Sequence, residues 1–153
     1  MNRRYFILIA LLAAPAFGHH GWSSFDQNKP MYLSGTLKQV RWQNPHAEAI
    51  LQADATKLPD GLAARAVPAQ QQSVDSAAVL KNTQVPVNAA GEWELEFAPL
   101  SRMKAWGLEQ APKPGDRIEV IGYALNDGGK RVLRVEYAFI NGKAYAFRSS
   151  PVS

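Results

Sequence analysis

The histidines are the side chains of this sequence best suited to chemistry near neutral pH. There are three, at positions 19, 20 and 46, and the 153 residues include no cysteine. Without cysteine there is no disulfide scaffold, thiolate zinc site, iron–sulfur cluster or cysteine nucleophile. An imidazole metal site or general base must therefore use His19, His20 or His46.

The first 18 residues have the pattern of a cleavable export signal. Arg3 and Arg4 form a positive start, residues 5–12 form an apolar core, and small residues follow as far as Gly18. The apolar run is shorter than the roughly 20 residues that span a bilayer. The paired arginines also fit the signal for folded cargo, but ordinary export is the expectation. We predict a signal peptide over residues 1–18, a periplasmic or secreted protein, and no membrane anchor after cleavage.

Cleavage of this leader creates one of two copper sites. A cut after Gly18 leaves His19 first, so that its α-amine and Nδ1 chelate one ion and His46 or His20 completes a histidine brace. A cut after Ala16 places His19 third, where the amine, two deprotonated amides and the imidazole form a square-planar set. Nitrogen ligands in tetragonal geometry favour copper(II), and nickel(II) less strongly.

His46 lies in a corner that the sequence predicts to be fixed. Pro45 restricts its own φ and pushes Asn44 toward an extended conformation. We therefore expect His19, His20 and His46 to be the metal ligands. The alternative is that His19 and His20 form a solvated tail and that His46 is a turn residue bonded to backbone.

The rest of the chain has the alternation of β-strands. Strands are predicted over residues 31–42, 47–54, 92–97, 117–125, 130–140 and 143–147, with a bulge at Lys38-Gln39. A short helix is predicted over residues 99–108, with Met103 in the core. Glu92, Glu94 and Glu96 alternate with apolar residues and are expected to form a solvated face. The fold class is therefore all-β: an OB-like barrel of five strands and one helix, with an open β-sandwich as the alternative.

Residues 55–90 differ from the rest of this single domain, which spans residues 19–153. They contain nine alanines, three prolines and a run of three glutamines, and they show no periodicity. We expect a flexible insertion between the second and third strands, with one helical turn over residues 75–80. A lid over a ligand is the functional alternative.

The motifs around the histidines carry a family resemblance. His19-His20-Gly21-Trp22, Gly35-Thr36, Asn44-Pro45-His46 and Pro114-Gly115-Asp116 resemble a family of small exported bacterial proteins that is classed as a domain of unknown function. The resemblance implies a periplasmic or secreted location and a mature start at or near His19. It implies no activity, substrate or catalytic residue.

The net charge and the motifs of the chain exclude some classes of function and favour others. Removal of the leader takes away two arginines and no acid, which leaves a net charge of +2 without a basic run, so no nucleic-acid partner is expected. We predict a periplasmic copper-binding protein for copper handling or delivery, not an enzyme; a histidine-brace copper enzyme ranks lower. The alternative is a metal-free binding module for a protein or a saccharide, with Trp22, Trp42 and Tyr32 as stacking residues.

Overall fold

Six strands and two short helices make up the structure, a computed structural model that describes residues 21–54 and 57–152. The leader, His19 and His20 lie outside the described residues. The strands are β1 (Phe25–Arg41), β2 (Glu48–Ala53), β3 (Gly91–Glu96), β4 (Arg117–Leu125), β5 (Val132–Ile140) and β6 (Lys143–Ala146). The helices are α1 (Ser76–Asn82) and α2 (Leu100–Ala105), and 3-10 turns cover Trp22–Ser24 and Leu62–Ala64.

The strands form one sheet in the order β3-β2-β1-β4-β5-β6. Neighbours in this order are antiparallel, and β3 also pairs with β5 in parallel. The predicted all-β class is confirmed, as is the position of α2 between β3 and β4. Strand β4 has the predicted bounds, whereas β1 begins six residues earlier than predicted.

The long strand β1 pairs with two neighbours in turn. Its central part pairs with β4, its C-terminal part pairs with β2, and the β2 register shifts between Leu37 and Gln39, where the bulge was predicted. Gly35 lies where both pairings meet: a Cβ there would be 2.0 Å from the Gln52 carbonyl oxygen. Only glycine permits this close approach of the two strands.

Leucine and valine side chains from five strands form the centre of the core. They are completely buried: Leu33, Leu51, Leu95, Val120 and Leu133. Their alternation with polar neighbours is the signal from which the strands were predicted. Met103 of α2 is also completely buried, which confirms its predicted place in the core.

Residues 57–90 pack against the sheet. Leu62 and Leu80 are buried in the main core, and Asp75 caps α1 by accepting a hydrogen bond from the Ala78 amide at 2.9 Å. Backbone bonds join Gln84 to β1 in both directions. The helical turn expected over residues 75–80 is present as α1. The flexibility expected for this insertion stays a prediction. Its contacts with the sheet are made to distant residues rather than along a periodic face.

Within the described residues, no helix is long and apolar enough to cross a membrane.

Candidate functional site around His46

A buried ion pair lies where β3 and β5 run in parallel. Glu96 and Arg134 are register partners, and Arg134 Nη1 donates to Glu96 Oε2 at 3.2 Å. Both side chains are only about one-twentieth exposed. A charge buried to this extent needs a partner of opposite sign, so each residue depends on the other. Glu96 therefore does not belong to the solvated face on which it was predicted.

His46 contacts the same guanidinium. Its Nε2 lies 3.4 Å from Arg134 Nη2, and its side chain is partly buried. Since a guanidinium can only donate, Nε2 of His46 is the acceptor in this contact.

Hydrogen bonds fix the corner that carries His46. The Asn44–Pro45 peptide bond is cis, and Asn44 Oδ1 accepts from the Leu100 amide at 3.1 Å. Ala47 exchanges backbone hydrogen bonds with Phe97 and Ala98, at 2.8 and 3.0 Å. These bonds tie the corner to the end of β3 and the start of α2, which holds His46 next to the ion pair.

Trp22, near the start of the described chain, lies next to Arg134. Its ring centroid is 5.1 Å from Arg134 Cζ and 4.1 Å from Arg148 Cζ, within cation–π range of both. The ring also makes an edge contact with Tyr123, at 6.2 Å between centroids. Trp22, which lies two residues after His20 in sequence, therefore contacts the same guanidinium as His46.

A second buried acid compensates Arg148. Glu136 is completely buried and accepts from Arg148 Nε at 2.7 Å and from Gln70 Nε2 at 2.9 Å. Gln70 in turn accepts from the Ser149 amide. We call the connected set the arginine–tryptophan cluster: Trp22, His46, Glu96, Arg134, Glu136 and Arg148.

Burial shifts the pKa values of two groups in or beside the cluster. It lowers the pKa of Arg134, against the pull of Glu96, and the charges of Arg102 and Arg148 act in the same direction as burial. Burial also raises the pKa of the Tyr123 phenol to about 12, helped by the charge of Glu136. Arg134 Nε is buried without a hydrogen-bond partner, so the guanidinium is only partly satisfied.

The structure describes one of the three predicted metal ligands. His46 is held at the cluster, whereas His19 and His20 lie outside the described residues. Within residues 21–54 and 57–152, no three His, Asp or Glu side chains are grouped so as to hold a metal ion. A metal at His46 would therefore need ligands from elsewhere in the chain.

The aromatic residues proposed for stacking have different surroundings. Tyr32 is buried, at 4% exposure, whereas Trp22 and Trp42 are partly buried. Trp42 packs on Phe97 with ring centroids 5.9 Å apart. Trp22 is the one of the three that meets the cluster.

Sequence reasoning missed both acids of the cluster and their arginine partners. In β5, Arg134 and Glu136 alternate with Leu133, Val135 and Tyr137, a pattern that normally indicates a solvent-facing side. The only local signal was their spacing, which puts both charges on one side of one strand. Their burial depends on Trp22, Gln70 and Arg148, which are distant in sequence.

Comparison with known proteins finds a family model that matches part of the chain. A family model described as a family of unknown function (DUF6152) matches residues 8–63. The matched stretch includes all three histidines and ends before β3, so Glu96, Arg134 and Arg148 lie beyond it. Searches of curated proteins and of solved structures found no match.

Proposed function

We propose that the exported protein binds one copper(II) ion through His19, His20 and His46, for copper handling or delivery. One observation supports this most: Trp22 and His46 both contact the guanidinium of Arg134. His19 is three residues from Trp22, a separation of roughly 10 Å of extended chain at most. This length of chain would let the N-terminal histidines approach the imidazole of His46.

The donor set fits copper when the leader is cut after Gly18. The α-amine and Nδ1 of His19 would bind as a chelate, and the imidazole of His46 would supply a third nitrogen, with His20 as the remaining donor. Such nitrogen sets in tetragonal geometry favour copper(II) over the other divalent ions of its row. Bound copper would be carried as cargo.

Arg134 and copper compete for the same nitrogen of His46. A guanidinium keeps its charge at all working pH values, so it must move away before Nε2 can bind a metal. Glu96 lies on the other side of Arg134 and can keep the displaced charge paired. The cluster can therefore hold the imidazole in place before loading and release it on loading.

We also infer that β1 to β5 close a small OB-like barrel. The pairings run from β1 to β2, β3, β5, β4 and back to β1, and α2 lies between β3 and β4. In OB folds the loop between the first two strands is one of two that contact ligands. His46 lies in that loop here, which supports its role as a ligand-binding residue.

The test is mass spectrometry of protein purified from the periplasm, with one equivalent of copper(II). The denatured mass gives the cleavage site, and the native mass gives the copper stoichiometry. We expect a start at His19, one bound copper, and at least about tenfold weaker binding in His46→Ala. Gln43→Ala is the matched control, because it changes an exposed residue of the same corner, and it should bind like the wild type.

Two results would overturn the proposal. One is a protein that starts at His19 and retains no copper. The other is a start at residue 17 with copper binding that His46→Ala leaves unchanged, since the copper would then be held by a simple N-terminal chelate.

A further inference from the structure

An open cleft of about 690 Å³ lies away from the arginine–tryptophan cluster. It is bounded by residues 65–66 on one side and by β1, β4 and the β5–β6 turn on the other. Of the described residues that line it, none belongs to the cluster. The volume is within the range of small-molecule sites, which is roughly 300–1,000 Å³.

Two residues that line the cleft, Arg65 and Glu119, form a preorganised pair of planar polar groups. Arg65 donates to both carboxylate oxygens of Glu119, with 3.4 Å from Nη2 to Oε1. The same guanidinium stacks over the Phe139 ring, 4.2 Å from its centroid. Both charged side chains remain one-third exposed, so their unused N–H groups and lone pairs can meet a ligand.

The charges in and around the cleft balance. Arg117, which also lines it, is paired with Asp54 at 2.6 Å, so two cations face two acids. A ligand with a net charge would have to break one of these pairs or enter without a partner of its own. A neutral ligand would break no ion pair and would bring no unpaired charge into the cleft.

Hydroxyl and amide groups also line the cleft. Burial, with the charge of Glu119, raises the pKa of Tyr32 to about 12, so its phenol stays protonated beside Glu119. Ser34 adds a second hydroxyl, and Asn141, at a φ of 51°, adds an amide at the rim.

We propose that this cleft binds a neutral, hydroxyl-rich ligand of the size of a hexose or a disaccharide, independently of any metal. The paired Arg65 and Glu119 would bind adjacent hydroxyls, and the partly buried Phe139 would contact the C–H face of the sugar ring. This site goes beyond copper binding, because it shares no residue with the histidine site.

The test is a ¹H–¹⁵N NMR titration with glucose, galactose, mannose, N-acetylglucosamine, maltose and cellobiose. Glucosamine and glucuronate serve as charged analogues of glucose. At least one neutral sugar should shift the amide signals of Ser34, Glu119 and Phe139 with millimolar affinity, and the charged analogues should bind at least about tenfold more weakly than the best neutral sugar. No saturable shift with any neutral sugar, or equal binding of a charged analogue, would overturn the proposal.

Matched variants connect binding to the cleft. Glu119→Gln should weaken binding about tenfold. Glu92→Gln removes an acid from a comparable strand ion pair, with Lys38, outside the cleft and should leave binding unchanged. If Glu119→Gln does not fold, Asn141→Gly removes a rim amide, keeps the positive φ and should also weaken binding. Wild-type affinity in a folded cleft variant would contradict the assignment.

Discussion

Arg134 is the residue that connects the parts of the candidate copper site. It contacts Glu96 as a buried ion pair, His46 at Nε2 and the ring of Trp22. Burial of a guanidinium is costly, and among residues 21–54 and 57–152 the full opposite charge at hydrogen-bond distance comes from Glu96. The position of His46 therefore depends on an ion pair that the histidine pattern does not reveal.

Breaking this pair should destabilise the fold. Arg134→Met leaves the Glu96 carboxylate buried without its cation, and we expect a loss of about 3 kcal/mol in the free energy of unfolding. Urea denaturation measures the loss. Lys38→Met, which breaks the exposed pair with Glu92, is the control and should change stability by less than about 1 kcal/mol. Equal losses in the two variants would contradict the buried pairing.

Tyr123 should make the protein sensitive to alkali. The unfolded phenol loses its proton near pH 10, whereas the folded phenol keeps it to about pH 12. Stability from this residue is therefore complete below pH 10 and falls as the pH rises toward 12. Tyr123→Phe should reduce that fall by up to about 2 kcal/mol, measured by urea denaturation at a series of pH values. An unchanged pH dependence would show that the phenol is not held protonated.

The strands and the second helix could be predicted from the sequence, whereas the packing of residues 57–90 could not. Strand β4 and the bulge in β1 follow from local alternation and its phase slip, so they needed only neighbouring residues. In contrast, Leu62 and Leu80 are buried by contacts with distant strands, and no period marks them. Gln70 likewise finds Glu136 at a separation of 66 residues.

The packing of α1 gives a direct test at this scale. Leu80→Ala should lower the free energy of unfolding by about 2–3 kcal/mol, since it removes a buried side chain while keeping a good helix former. Val87→Ala, at a fully exposed position of the same segment, should have almost no effect. Chemical denaturation of both variants measures this. Similar stability of the two would mean that the segment does not pack on the sheet.

The close pairing of β1 with β2 can be tested by a substitution at Gly35. In Gly35→Ala the new Cβ would collide with the Gln52 carbonyl oxygen and Ala53 Cα, and backbone atoms cannot turn aside as a side chain can. We expect a loss of about 2 kcal/mol or more, seen as a lower midpoint of thermal unfolding. In Gly128→Ala the Cβ would meet no atom within 4 Å, so this control should unfold at the wild-type temperature. Wild-type stability of Gly35→Ala would contradict the register of β1 and β2.

In the molecule as a whole, the strand pairings place two candidate sites on one sheet. The cluster lies where the β1–β2 loop, β3 and β5 meet, and the cleft lies between residues 65–66 and β1, β4 and the β5–β6 turn. Sequence reasoning singled out His46 of the cluster because histidine is rare in this chain, and its role as a metal ligand stays a prediction. Sequence reasoning could not find Arg134 and Glu96, because their burial follows from the parallel pairing of β3 with β5.

The most direct measurement of the central claim is electron paramagnetic resonance of the copper(II)-loaded mature protein. Pulsed spectra detect the remote nitrogen of each bound imidazole, so they count histidine ligands separately from the amine. We expect the His46→Ala spectrum to show one imidazole fewer than the wild type and the Gln43→Ala spectrum to be unchanged. Identical wild-type and His46→Ala spectra would contradict this expectation, because copper would then be bound without the residue that the cluster holds in place.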